Sequence, residues 1–117
     1  MDIKQCYNSF GGDYEDAYLR LLSDERIERF LKKFVEIDDF GKMTAALSQK
    51  DYQEAFMRAH DLKGTSSNLG FTDLYKSSST LCEALRGGVP KGDITAMTEA
   101  VRADVEAITT AVSQLDG

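Results

Sequence analysis

The chain has 117 residues, a formal net charge of −6 and an apolar fraction of 42%. This length is typical of one domain, so we expect a single domain over residues 1–117. The acidic balance argues against nucleic acid or an anionic membrane as a partner, since both attract basic proteins. No segment resembles a signal peptide, and no apolar run approaches the length of a membrane-spanning helix.

The residues that bind metals or form disulfides are few. Cys6 and Cys82 are isolated from each other in the sequence and do not resemble a disulfide framework. His60 is the single histidine, so a metal-binding helical bundle, which uses paired Glu-x-x-His motifs, lacks its ligands. We therefore expect no metal and no cofactor in this chain, and a location in the reducing cytoplasm.

Helical periodicity recurs along the chain, while the alternation typical of strands is nearly absent. Gly11 and Gly12 precede a short predicted helix over about residues 13–21. Ser23 is a predicted N-cap for the next helix. Its apolar residues recur at helical spacing: Ile27, Phe30, Leu31, Phe34 and Val35. A kink near residues 38–41 leads into a further helical segment that ends near residue 50.

Three more helices complete the predicted fold. Asp51 is a predicted N-cap for the helix that carries His60, and Gly70 is its predicted end. Thr72 is the N-cap candidate of the next helix, which we expect to end before residues 87 and 88. The last helix has the most regular apolar stripe: Ile94, Met97, Val101, Val105, Ile108, Val112 and Leu115. Short connections favour antiparallel neighbours, so we predict an all-α, antiparallel up-and-down four-helix bundle with an additional short N-terminal helix.

The surroundings of His60 suggest a reaction on the imidazole. Residues three and four apart share a helix face, which places Lys63 and Gly64 one turn after the histidine. Imidazole is a nucleophile near neutral pH, and the Lys63 ammonium could neutralise phosphoryl oxygens. Gly64 costs about 1 kcal/mol of helix stability relative to alanine and would let another protein approach closely. Taken singly, each residue is more often structural: a histidine at the surface or the edge of the core, a lysine on an ordinary exposed face, and a glycine that packs on a neighbouring helix. Their spacing together is more specific.

The segment Ala59-His60-Asp61-Leu62-Lys63-Gly64, followed by small residues and Leu69-Gly70, closely resembles a known signature. It is similar to the sequence around the phosphorylated histidine of histidine-containing phosphotransfer (HPt) domains, of the bacterial stand-alone type. Residues 81–87 resemble the following helix of that family and its glycine stop. The resemblance covers most of the chain and is strongest from about residue 44 to residue 88.

The resemblance implies that His60 accepts a phosphoryl group from an aspartyl phosphate of a receiver domain and passes it to another receiver domain in a two-component phosphorelay. Lys63 would stabilise phosphoryl charge. The chain would be a phosphocarrier without nucleotide-dependent kinase activity of its own, with Mg²⁺ bound by the partner receiver. The implied partners are response-regulator receiver domains, with a hybrid histidine kinase as a further candidate. We expect a monomer, and the Met1 start favours a stand-alone protein.

Receiver docking should involve residues around His60 and a basic face of the preceding helix. The candidates are Gly64, Ser67, Phe56, Met57, Arg29 and Lys32. Phe56 also belongs to the apolar stripe, so a core position is an open alternative. Some family members have a glutamine on the next helix, where this chain has Cys82, a poor hydrogen-bond donor. Ser78 or Ser79 could replace that hydrogen bond, or it could be absent.

Two other functions fit parts of the pattern. A non-catalytic helical interaction module would keep His60 for structural reasons only. The dimerisation hairpin of a histidine kinase carries an acidic residue after its histidine, as Asp61 does here. The proline expected shortly downstream in such hairpins is absent, and no ATP-binding domain follows. An observed monomer would count against the kinase hairpin.

Overall fold

The computed structural model describes residues 1–115, which are helical apart from short connections. Residues 116 and 117, the end of the predicted domain, lie outside the described residues. None of the described helices is long and apolar enough to cross a membrane. The helices are α1 (Ile3–Ser9), α2 (Tyr14–Leu21), α3 (Asp24–Ile37), α4 (Asp39–Ser48), α5 (Tyr52–Leu69), α6 (Thr72–Ala84) and α7 (Ile94–Ser113), with a 3-10 turn at Arg86–Gly88.

Helices α4 to α7 form a four-helix bundle in which each helix packs against the next one along the chain. The connections from α4 to α5 and from α5 to α6 have only two or three residues, so these neighbours run antiparallel. Helix α7 packs in addition against α1 and α3. The predicted all-α bundle is confirmed.

Local capping signals explain most helix boundaries. The side chains of Ser23, Asp51 and Asp93 each accept a hydrogen bond from the backbone N–H three residues later, at 3.2, 3.2 and 3.0 Å. Gly70 ends α5 in the left-handed conformation (φ +69°). A Cβ on Gly70 would lie 2.5 Å from the carbonyl oxygen of Asp13. The absence of a side chain at Gly70 therefore allows the start of α2 to pack closely against the end of α5.

The N-terminal region differs from the prediction. Two short helices, rather than one, precede α3, because α1 was not recognised in the sequence. Asp2 and Gln5 form a capping box at its start, and α1 buries Cys6 and Tyr7. The Tyr7 hydroxyl donates a 2.7 Å hydrogen bond to the carbonyl oxygen of Leu69. The N-terminal helices are thereby fixed to the C-terminal end of α5.

The predicted N-cap of α6 was wrong by one residue. Phe71, not Thr72, holds the N-cap position, without a side-chain hydrogen bond. Its ring is buried and lies 5.4 Å from the Phe10 ring and 5.2 Å from the Phe34 ring, centroid to centroid. Burial of these aromatic rings, rather than capping chemistry, therefore sets the start of α6.

Candidate functional site

His60 is exposed at the middle of α5. The buried residues of this helix recur at spacings of three and four, which turns the residues between them towards solvent. These buried residues are Ala55, Ala59, Leu62, Ser66 and Leu69. Rigid anchoring of α5 along this stripe presents the imidazole on a fixed surface.

Neither ring nitrogen of His60 makes a hydrogen bond or an ion pair within residues 1–115. Its ring contact is with Phe56, one turn earlier, at a centroid distance of 6.2 Å and an interplanar angle of 46°. The packing of the chain therefore makes no use of the polar atoms of His60, which remain accessible to a partner.

Lys63 lies one turn after His60 and is half-buried. Its ammonium has no carboxylate partner within 4.0 Å in the described part of the chain. Burial raises the pKa of the Cys82 thiol on α6, and the positive charge of Lys63 opposes this rise, which places Lys63 close to Cys82. The positive charge of Lys63 also contributes to lowering the pKa of Glu83, after the hydrogen bonds and charge of Arg86. Lys63 therefore places a positive charge, without a direct ion pair, on the same face of α5 as the imidazole.

Gly64 lies on open surface. A Cβ built at this position meets no atom within 4 Å. The interpretation that the glycine permits packing against a neighbouring helix of the same chain is therefore wrong. Within residues 1–115, no close contact at this position accounts for its conformational cost of about 1 kcal/mol.

The other candidates on α5 flank the imidazole. Ser67 is exposed, and the Met57 side chain is 52% exposed. Phe56 is half-buried: it packs against the edge of the core and also contacts the His60 ring. Both interpretations of Phe56, as a core residue and as a surface neighbour of the histidine, describe part of its position.

Arg29 and Lys32 lie on an exposed face of α3, which packs mainly on α1, α2 and α7. Lys32 is within 3.4 Å of Glu28 on its own helix. The cations that line the groove between α3 and α5 are instead Arg20 and Lys33. A role for Arg29 and Lys32 in docking stays a prediction.

Ser78, Ser79 and Cys82 on α6 are the candidates for a hydrogen bond near His60, and their surroundings differ. Cys82 is 1% exposed. The Ser78 hydroxyl donates to the carbonyl oxygen of Leu74 at 2.6 Å, so its proton is used within α6. The buried hydroxyl oxygen of Ser79 has no hydrogen-bond partner in the described chain. None of the three bonds to His60.

Arg86 is a residue of this surface that the sequence reasoning missed. Its guanidinium carbon lies 5.5 Å from the centroid of the Phe56 ring, and Phe56 in turn contacts His60. The guanidinium donates three hydrogen bonds of 3.0 to 3.1 Å to the carboxylate of Glu83. One sequence signal was available for Arg86: it lies four residues, about one helical turn, after Cys82, which the resemblance already places near the histidine.

A comparison with protein families gives one match: the family model of the Hpt domain covers residues 36–116, which include α4 to α7 and His60. No curated protein matches the chain, and no solved structure does. Hpt domains carry out histidine phosphotransfer in phosphorelays, where they interact with receiver domains and kinases. The match spans more than half of the chain, and the chain therefore belongs to the Hpt domain family.

Proposed function

We propose that this protein is a histidine phosphocarrier and that His60 is its phosphoacceptor. In the proposed reaction, the lone pair of an imidazole nitrogen attacks the phosphorus of an aspartyl phosphate on a receiver domain. The P–O bond to the aspartyl carboxyl group breaks, and the aspartate leaves as a carboxylate. The proton on the other ring nitrogen stays in place. Attack by a second receiver's aspartate reverses these steps and regenerates the free imidazole.

The observation that carries this proposal is the exposure of His60, which has no hydrogen-bond partner among residues 1–115, beside the Lys63 ammonium and the open surface of Gly64. Phosphoryl transfer depends on in-line positioning and charge stabilisation more than on covalent assistance. Lys63 supplies a positive charge for the phosphoryl oxygens. Gly64 leaves room for the receiver's backbone.

In this function the receiver supplies the carboxylates and Mg²⁺, while the present chain supplies the nucleophile and a rigid helix. It would act in the cytoplasm as a monomer, with no nucleotide-dependent kinase activity of its own. Met57 and Ser67 would lie in the contact surface because they are exposed on either side of His60. Arg86, which is paired with Glu83, would lie at the edge of this surface over the Phe56 ring.

The test is phosphoryl transfer from a receiver domain phosphorylated in the presence of Mg²⁺, with wild type and His60→Gln compared. Because His60 makes no hydrogen bond in the fold, the variant should unfold at the same temperature as wild type. We expect an acid-labile, base-stable phosphate on wild type alone. Absence of transfer from every receiver of the same genome would instead favour a non-catalytic interaction module.

A further inference from the structure

A groove on the side of α5 away from α6 has no role in phosphotransfer as described above. Helices α2, α3 and α5 form its walls, and its volume is about 500 Å³. This volume lies within the range of small-molecule sites in proteins. The apolar part of the lining consists of Leu21, Phe30, Phe34, Ile37 and Leu69.

Large apolar side chains of α3 remain exposed at this groove. Phe30 is 44% exposed and Ile37 is 43% exposed, although both lie beside the buried face of the helix. Single exposed apolar residues are common on protein surfaces. Here the two line one concave space together with buried Phe34 and Leu69, so an apolar ligand could remove both from water.

The polar residues of the groove indicate the charge of a ligand. Arg20 pairs with Asp16 at 3.1 Å, and Asp39 pairs with Arg58 at 3.7 Å. Lys33 has no ion pair within residues 1–115. An unpaired ammonium at the wall of an apolar groove favours an anionic group.

Two neutral groups add hydrogen-bonding capacity. The side chains of Thr65 and Asn68 line the groove and make no hydrogen bond within the described residues. Asp39 contributes a negative charge to the same lining, which disfavours ligands that carry several negative charges. The combination fits one anionic group, hydrogen-bond acceptors and an apolar body.

We propose that the groove between α2, α3 and α5 binds a small monocarboxylate with an apolar body, such as a medium-chain fatty acid. The carboxylate pairs with Lys33, and the chain covers Phe30 and Ile37. This proposal concerns binding only and does not depend on histidine phosphotransfer. An amphipathic helix of a partner protein is the alternative occupant, and the test separates the two.

The experiment is a titration of the ¹⁵N-labelled full chain with decanoate, in which binding is monitored through the amide chemical shifts. Neutral decanol and cationic decyltrimethylammonium are the charge controls. We expect saturable shifts confined to the residues that line the groove, and tighter binding of decanoate than of either control. Lys33→Gln should weaken decanoate binding by about three- to fivefold, the range of an exposed ion pair, and leave decanol unchanged. Lys32→Gln, on the opposite face of α3, is the matched control.

Three results would overturn the proposal. The first is an absence of saturable shifts up to about 1 mM decanoate, the weak end of specific binding, which would leave the groove to a protein helix. The second is equal binding of decanoate and decyltrimethylammonium, which would remove the role of Lys33. The third is an equal loss of affinity in Lys32→Gln and Lys33→Gln, which would indicate general charge attraction.

Discussion

At the scale of single residues, the surface around His60 contains polar groups that the fold does not use. Lys63 has no carboxylate partner, and His60 has no hydrogen bond, within the described chain. Most exposed lysines and histidines could be replaced without a change in function. The distinguishing feature here is that both lie on one face of a long helix, next to a glycine at which a Cβ would meet no atom of the described residues within 4 Å.

Lys63→Ala should slow phosphoryl transfer by about ten- to a hundredfold, because the charge that develops on the phosphoryl oxygens loses a charge-assisted contact. The free energy of unfolding should change by less than about 0.5 kcal/mol, since the ammonium forms no ion pair within 4.0 Å in the described residues. Single-turnover transfer from a phosphorylated receiver measures the first effect, and urea unfolding measures the second. Partial recovery of the rate in Lys63→Arg is expected. A loss of stability without a loss of rate would assign Lys63 a structural role.

Gly64→Ala should have opposite effects on stability and on transfer. The new methyl group meets open space in the free protein, so the helix gains up to about 1 kcal/mol. The same methyl group occupies the space through which a receiver approaches His60, so transfer should slow. Thr110→Ala on α7 is the control, because it raises helix propensity at an exposed site of a helix that packs mainly on α6 and α1. If both variants transferred at the wild-type rate, the close approach at Gly64 would be refuted.

At the scale of helices, two arginines make the same kind of contact: each lies over a phenylalanine ring of another helix. Arg86 follows α6 and lies over Phe56 of α5 at 5.5 Å. Arg102 on α7 lies over Phe40 of α4 at 5.0 Å. Each also pairs with a glutamate three residues earlier. Only the first pair adjoins His60.

Arg86→Ala should therefore weaken receiver docking, raising the KM for the phosphorylated receiver more than it lowers the maximal rate. Arg102→Ala removes the same kinds of contact and should leave KM unchanged. The measurement is the receiver-concentration dependence of transfer for the two variants and wild type. Equal effects of both substitutions would mean that stability, and not position, accounts for the loss.

The sequence predicted the long helices well because their signals are local. The N-caps Ser23 and Asp51 and the stop at Gly70 follow from side-chain and backbone chemistry within a few residues. The start of α6 and the existence of α1 depend on Phe71 and Tyr7, whose partners are distant in the sequence. The contacts of Phe71 are tertiary, so no local pattern could reveal the start of α6. Helix α1 does carry a local signal, the capping box of Asp2 and Gln5, but its length of seven residues makes that signal weak without the tertiary contacts of Tyr7.

The same distinction applies to the candidate site. The placement of Lys63 and Gly64 beside His60 follows from helical spacing alone. The contact of Arg86 with Phe56 depends on how α6 packs on α5 and on the turn after α6. The position of α3 is also a matter of tertiary packing, which is why Lys33 rather than Lys32 faces the groove beside α5.

At the scale of the whole molecule, helix α1 buries titratable groups in the core. Cys6 and Tyr7 are fully buried, and burial raises the pKa values of both. The pKa of Cys6 rises from 9.0 to about 11. Burial likewise raises the pKa of Cys82 between α5 and α6. The folded state therefore keeps protons that the unfolded chain releases in alkaline solution.

This difference predicts that the protein loses stability as the pH rises above 9. Between pH 9 and about 11 the unfolded chain loses the Cys6 proton while the folded protein retains it. The unfolded state binds fewer protons, so the free energy of unfolding falls, by up to about 1.4 kcal/mol per pH unit for one such group. Cys6→Ala should be less stable at pH 7 because it leaves a small void, yet its stability should decline less steeply with pH. Urea unfolding at several pH values measures how steeply the free energy of unfolding falls with pH in the variant and in wild type. If the two proteins gave the same slope, Cys6 would titrate alike in the folded and unfolded states.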